Sequence, residues 1–318
     1  MYRFRWLAIL VGSIISASAW GQQDMTLLSS ATVARGQTDA AIALLESLYP
    51  YDVIVTIEET IDVGDRIIPS ATRKWRLRMN LDEEICLFAV DARSISFEDA
   101  MADRHDNWTS RSSFVEIKGK SVTSMRVKHP VQRRETAYFQ AGVISERIPD
   151  LPQCVHVDIL SAAANTGRQK EYIPRIFSMA EEFIVQEGIR DEDPVVDVKA
   201  VIVSRGIEEV HRWVYSVGTL EPKVYQILQS PIGSPAVKSL YRHNLEWADD
   251  ENYGRVPVAA QVVQSVSMRM QENDGETKRL KCERHSNITF VWKKYGKTDE
   301  VLDSNGQMLA PKLESLFE

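Results

Sequence analysis

The sequence predicts an α+β protein: one large curved antiparallel sheet, a half-barrel, with helices packed on one face. Three observations carry that expectation. The hydrophobic period drops from 3.6 to 2 after Pro50. Strand patterns then follow one another, without the strand–helix alternation that builds parallel sheets. Helical patterns interrupt them at only two places, before the first strand and in the middle of the chain.

Residues 20–35 are small and polar and read as a flexible segment. Thr38 to Tyr49 reads as a helix. Thr38 can cap it, and Ala41, Leu44, Leu45 and Leu48 recur on one face before Pro50 ends it. Val53, Val55 and Ile57 then alternate as a strand. The cleanest alternation in the chain follows, with Trp75, Leu77, Met79 and Leu81 on one face and Lys74, Arg76, Arg78 and Asn80 on the other. Ile85–Val90 is a more continuously apolar strand. Residues 91–112 lack a period and read as a long loop. Phe114–Lys118 and Ser121–Lys128 flank Gly119-Lys120 as a hairpin, and Tyr138–Ile144 offers one more strand.

Ile173–Glu187 reads as the second helix, with Pro174 near its start and Gly188 as its stop. A further strand series runs through Val196–Ile202, His211–Val217, Val224–Leu228, Leu240–Trp247 and Val256–Met270. After the turn signal Asn273-Asp274-Gly275, two short strands, Lys278–Glu283 and Ile288–Lys293, finish the meander. One domain over 36–295, with a helical insert near 173–188 and a tail over 296–318, is preferred. Two sandwich-like domains divided near residue 190 are the alternative.

The N-terminus reads as a cleavable export signal. Arg3 and Arg5 precede the apolar run Trp6–Ile15, and Ala17-Ser18-Ala19 is a small-x-small cleavage site. The run is far short of the roughly 20 apolar residues that span a bilayer. No Cys stands near the cleavage point to take a lipid. The expected product is soluble and periplasmic or secreted, with no membrane span in its mature form.

The whole chain has a formal net charge of −7, and removing Arg3 and Arg5 with the leader makes the remainder two charges more acidic. Such a chain is a poor partner for nucleic acid or an anionic membrane surface. Cys86, Cys154 and Cys282 are too few and too scattered for a disulfide scaffold, and read as small buried hydrophobes.

No metal or catalytic motif is present: HExxH, GxSxG, the phosphate-binding loop and GxGxxG are all absent. No cofactor is implied. His156-Val157-Asp158 puts a His and a carboxylate on one strand face, without a third member to complete a site. Arg133-Arg134 with Lys128 reads as a solvated strand end. Asn107-Trp108-Thr109 and Asn287-Ile288-Thr289 match the glycosylation sequon.

The chain has seven Trp and ten Tyr. Trp75, Trp213, Trp247 and Trp292 fall on expected strands, and aromatic strand faces either fill a core or line an apolar cavity. Trp75, Leu77, Trp213, Tyr215, Trp247 and Trp292 are the candidate ligand-binding residues.

Element order resembles the half-barrel of the periplasmic lipoprotein carriers, the LolA/LolB-like superfamily. The resemblance rests on the leader, the N-terminal helix and the strand Trp75-Arg76-Leu77-Arg78-Met79. It extends through Arg212-Trp213-Val214-Tyr215 and the turn Leu220-Glu221-Pro222-Lys223-Val224. It continues in the Trp247–Val258 stretch, where Asn252-Tyr253-Gly254 precedes Arg255-Val256-Pro257. It covers roughly residues 36–295 and implies a lipid or lipoprotein acyl chain held in an apolar groove. It implies no catalytic residues. The alternatives are an envelope protein–protein interaction module, acting through residues 91–112, and a hydrolase with an unrecognised site.

Overall fold

The computed structural model describes residues 50–80, 85–118, 121–130, 138–143, 176–219, 221–271 and 277–296, together with Thr32 and Gly36. The leader, the expected helix over 38–49, Arg133-Arg134, Cys154 and the His156–Asp158 pair lie outside them. So do almost all of segment 20–35 and of the tail from 296, and the Asn273-Asp274-Gly275 turn.

Thirteen strands form one antiparallel sheet. They are β1 (Tyr51–Asp62), β2 (Ile67–Asn80), β3 (Ile85–Ser94), β4 (Thr109–Lys118), β5 (Ser121–Pro130), β6 (Tyr138–Val143) and β7 (Glu182–Arg190). After these come β8 (Asp193–Ser204), β9 (Ile207–Ser216), β10 (Pro222–Pro231), β11 (Lys238–Asp250), β12 (Gly254–Gln271) and β13 (Thr277–Lys293). Their spatial order is β6-β5-β4-β3-β2-β1-β13-β12-β11-β10-β9-β8-β7. The chain therefore steps outward from β1 to β6, restarts at the opposite edge with β7, and returns until β13 lies beside β1. Both middle strands are long, and eleven residue pairs hold them in register, from Asp52↔Lys293 to Asp62↔Glu283.

The expected large antiparallel sheet is present, but the protein is mostly β. Among the described residues helix is confined to short pieces, and the sheet is neither strongly curled nor closed. The second helix is the main correction. Residues 176–179 make a single helical turn, and Glu182–Arg190 is β7, paired with β8 from Glu182↔Val201 to Arg190↔Asp193. Phe183 and Val185 face inward two apart along a strand. The extra apolar Ile184 between them is what mimicked a helical stripe. Gly188 stops nothing; it pairs with Val195 inside the ladder.

Residues 91–112 are likewise not a long loop. Asp91–Ser94 completes β3, Phe97–Met101 is a short helix, α1, and His105–Asn107 is a 3-10 turn leading into β4. Ser96 caps α1, its Oγ accepting from the Asp99 N–H at 3.1 Å, and Phe97 and Ala100 bury the helix on the sheet. The expected pair of short C-terminal strands is one strand. Its middle, His285-Ser286-Asn287, is polar and breaks the apolar alternation, yet it stays in register with both neighbours. No boundary falls near 190. Asp191 and Glu192 are only the two-residue turn between β7 and β8.

Alternate residues of each strand meet on one face, called the inner face here. Val53, Val55 and Ile57 of β1 join Leu77, Val198, Trp213, Tyr225, Leu245, Val262 and Phe290 in the main core. The helical turn 176–179 covers part of it with Ile176 and Phe177. A second apolar cluster lies farther along the same face, where α1 covers Ile61, Ile68 and Cys282. Cys282 is buried with a free thiol. On β1, Tyr51 to Val55 are buried without alternation, as expected for a central strand covered on both sides.

Candidate functional site

The six residues expected to line a ligand site come together on the inner face. Leu77, Trp213, Tyr215 and Trp247 are buried in the main core, and Trp75 and Trp292 pack against it. Two of the indoles are anchored by the next strand: Trp247 Nε1 donates to the Pro222 carbonyl at 2.9 Å and Trp292 Nε1 to the Pro257 carbonyl at 2.7 Å. Tyr253, from the β11–β12 turn, packs against Trp292 at a tilt, with ring centroids 5.3 Å apart, and donates its hydroxyl to the Lys293 carbonyl at 2.7 Å. An aromatic run continues across β9–β11. Phe177 lies 5.8 Å from Trp213, Trp213 is stacked 5.5 Å from Tyr225, and Tyr225 is 5.6 Å from Tyr241.

A polar belt crosses this face between the two apolar clusters. The register places it without ambiguity. Trp213 pairs with Tyr225, Tyr225 with His243, His243 with Val262, Val262 with Ser286 and Ser286 with Glu59. In the next row, His211 pairs with Ile227, Ile227 with Tyr241, Tyr241 with Gln264, Gln264 with Arg284 and Arg284 with Ile61. Glu59 is buried and takes a two-pronged ion pair from Arg73, at 2.8 and 3.0 Å. His243 is buried, and its Nε2 has no hydrogen-bond partner. Burial pushes its pKa down to about 3, so the ring is neutral. Burial likewise drives the Tyr241 phenol up.

His211 is held differently. Its Nε2 lies 2.8 Å from Glu209 Oε1 and its Nδ1 2.9 Å from the Tyr225 hydroxyl. Burial lowers its pKa against the opposing pull of Glu209. A neutral ring with its proton on Nε2 donates to Glu209 and accepts from Tyr225. Both ring nitrogens are thereby engaged, which makes the carboxylate–imidazole–phenol chain a means of fixing Tyr225 and Trp213 in place.

At the end of the sheet, Glu221 is 1% exposed and sits between two cations. Arg255 Nε donates to its Oε1 at 2.8 Å, and Lys223 Nζ lies 3.2 Å from its Oε2. Burial alone would raise the carboxyl pKa, but hydrogen bonds from Arg255 and Lys223 bring it below the usual carboxylate range. Asp52 with Arg76 and Asp197 with Arg212 make similar close pairs at 2.7 Å.

Glu59, His243 and Arg284 were not among the candidates drawn from the sequence, although the alternation could have found them. His243 is two residues from Tyr241 and Leu245, and Arg284 is two from Cys282 and Ser286, so each falls on the face of its apolar neighbours. The expected aromatic residues drew notice because they are large; a single polar residue within an apolar alternation drew none.

No protein-family profile and no curated protein matches the sequence. Among solved structures, the crystal structure of a DUF1329 family protein from Desulfovibrio piger aligns over 86% of this chain and 98% of its own, at 10% identity and a TM-score of 0.38. A likeness of that size carries no argument about function.

Proposed function

We propose that this is an exported protein that shelters a hydrophobic ligand, a lipid or a lipoprotein acyl chain, against the inner face of its sheet. One observation carries the reading. The aromatic and aliphatic residues of β1, β2, β8–β11 and β13 form a single apolar cluster along the inner face, with Trp75 and Trp292 only partly buried at its side and polar side chains set along one edge of it. Burying apolar area returns roughly 25 cal/mol per Å², so a chain laid along such a surface is held mainly by the hydrophobic effect. The order of elements resembling the lipoprotein carriers, and the signal-like leader, agree with this reading. The half-barrel curvature belongs to it as well, as the shape the sheet would take around a bound chain.

The test is native mass spectrometry of protein recovered from the cell envelope, with thermal shift measurements on acyl-chain ligands. A co-purifying lipid, or a rise in melting temperature with chain length, is expected. Bare protein with no shift from any acyl ligand would end the proposal. Cell fractionation tests the export step separately.

One feature favours a second reading, an interaction module. Among the described residues the edge strand β7 pairs on one side only, and Ile189 on it is 82% exposed. Under that reading, Ile189→Lys would abolish capture of an envelope partner while leaving lipid binding alone. An unchanged partner set would reject it.

A further inference from the structure

We infer that the ligand is a long-chain carboxylic acid whose carboxylate is bound by Arg284. The inference rests on the proposed function and adds the chemistry of the headgroup. Arg284 sits in the polar belt of the inner face. Its strand neighbours on that face, Cys282 and Ser286, are both buried, and its cross-strand partners are Gln264 and Ile61. Its Nε is buried without a hydrogen-bond partner, and among the described residues no carboxylate pairs with its guanidinium.

A guanidinium keeps its charge at any working pH. Arg284 is half-buried, and its Nε–H, shut off from water, forfeits its hydration with no hydrogen bond in return. The other ion pair on this belt, Glu59–Arg73, is already closed on itself by two hydrogen bonds. Among the described residues of the belt it leaves no carboxylate for the half-buried Arg284, whose Nε–H stays without an acceptor.

An anion arriving with the ligand would supply what is missing. The surroundings select its size: Ser286 is 4% exposed, Cys282 3% and Val262 1%. A single carboxylate matches the planar fork of a guanidinium and asks less room of such neighbours than a phosphodiester with its glycerol. The second orphaned group, His243 Nε2, lies two strands across on the same belt and offers a neutral partner for the other side of the headgroup. The chain would then lie along the aromatic sector toward Trp292 and Trp75.

The test is displacement of the uncharged dye Nile red from the delipidated full-length mature protein. Palmitic acid, methyl palmitate and phosphatidylglycerol are the competitors. Palmitic acid is expected to compete at least tenfold better than its methyl ester or the phospholipid. R284Q should lower affinity for the acid until acid and ester compete alike, and R284K, which keeps the charge but loses the fork, should fall between. Equal competition by acid and ester in the wild type overturns the inference, as does an acid preference that survives R284Q. A phospholipid that outcompetes the acid overturns the assignment of a carboxylate. If R284Q does not fold, R284K decides alone, and a preference equal to that of the wild type counts against the fork. Failure of every competitor and of the dye itself would instead reject the apolar-face reading beneath it.

Discussion

His243 and Glu221 are both buried side chains with lowered pKa values, and both make the protein less stable as the pH falls, for different physical reasons. For His243 the unfolded ring takes a proton below about 6.5, whereas the folded ring resists it down to about 3. Between those values the unfolded state binds more protons, so stability falls by about 1.4 kcal/mol per pH unit on acidification. Roughly 2–3 kcal/mol should be lost between pH 6.5 and 4.5. His243→Phe keeps a ring in the site and removes the titration, so its urea midpoint should fall much less over that window. Equal losses in both proteins would show that the acid sensitivity comes from elsewhere. The Glu221 carboxyl is also held below its usual range, here by hydrogen bonds from Arg255 and Lys223, so its contribution is present at neutral pH and disappears at lower pH, as the pH drops through that lowered value. Glu221→Gln leaves Arg255 and Lys223 without their anion. Because both cations keep access to water, the expected cost is about 2 kcal/mol at pH 7, less than the ~3–5 kcal/mol of a sealed pair. Urea unfolding at neutral pH measures it, and a variant as stable as the wild type would show that solvent replaces the pair.

The turn between β7 and β8 shows what a strand pattern conveys and what it leaves out. Asp191 and Glu192 occupy a two-residue hairpin with φ of 50° and 70°. The next hairpin, β8–β9, uses Arg205 and Gly206 at 51° and 77°, where glycine accepts the left-handed conformation at no steric cost. Glu192 bears that cost, so Glu192→Gly should stabilise the protein by about 0.5–1 kcal/mol, read as a higher melting temperature. A lower melting temperature would mean that the carboxylate contributes more than its backbone costs. Strands with strict alternation, such as Trp75 to Leu81 and His211 to Val217, were legible because each half-exposed residue reports its face. β7 was not, because Phe183-Ile184-Val185 is apolar on both faces and satisfies a helical period equally well. β13 was divided in two because its polar inner positions, Arg284 and Ser286, belong to the candidate site. Polar residues at inner positions break the alternation that reveals a strand. The six expected aromatic and aliphatic residues were found by the same alternation, which also puts Glu59, His243 and Arg284 on the inner face; that these stand in neighbouring rows depends on cross-strand register, which pairs residues as far apart as Glu59 and Ser286.

At the scale of the molecule, the sheet joins the two halves of the chain where β1 lies beside β13, and its stability should be graded outward from that seam. β1 is buried on both sides where it begins, and it is paired along its length with β2 and β13. β13 is paired in turn with β12 over thirteen residues. The edge strands β6 and β7 have one neighbour each, and β7 leaves Glu187, Gly188 and Ile189 exposed. Opening an edge strand costs one ladder and little apolar burial, whereas opening the seam separates two six- or seven-stranded halves and uncovers Val53, Val55, Ile288 and Phe290 together. Native-state hydrogen exchange should therefore show amides of β1 and β13 exchanging only through global unfolding, with β7 exchanging several orders of magnitude faster through local opening. The test is internal to the molecule, since Val55 and Phe290 face each other across the seam while Val185 faces only Val198. Slow exchange at β7 equal to that of β1 would mean that the edge is covered in solution. Fast exchange at the seam would mean that the halves unfold independently, and that the inner face they jointly form is assembled only when both are folded.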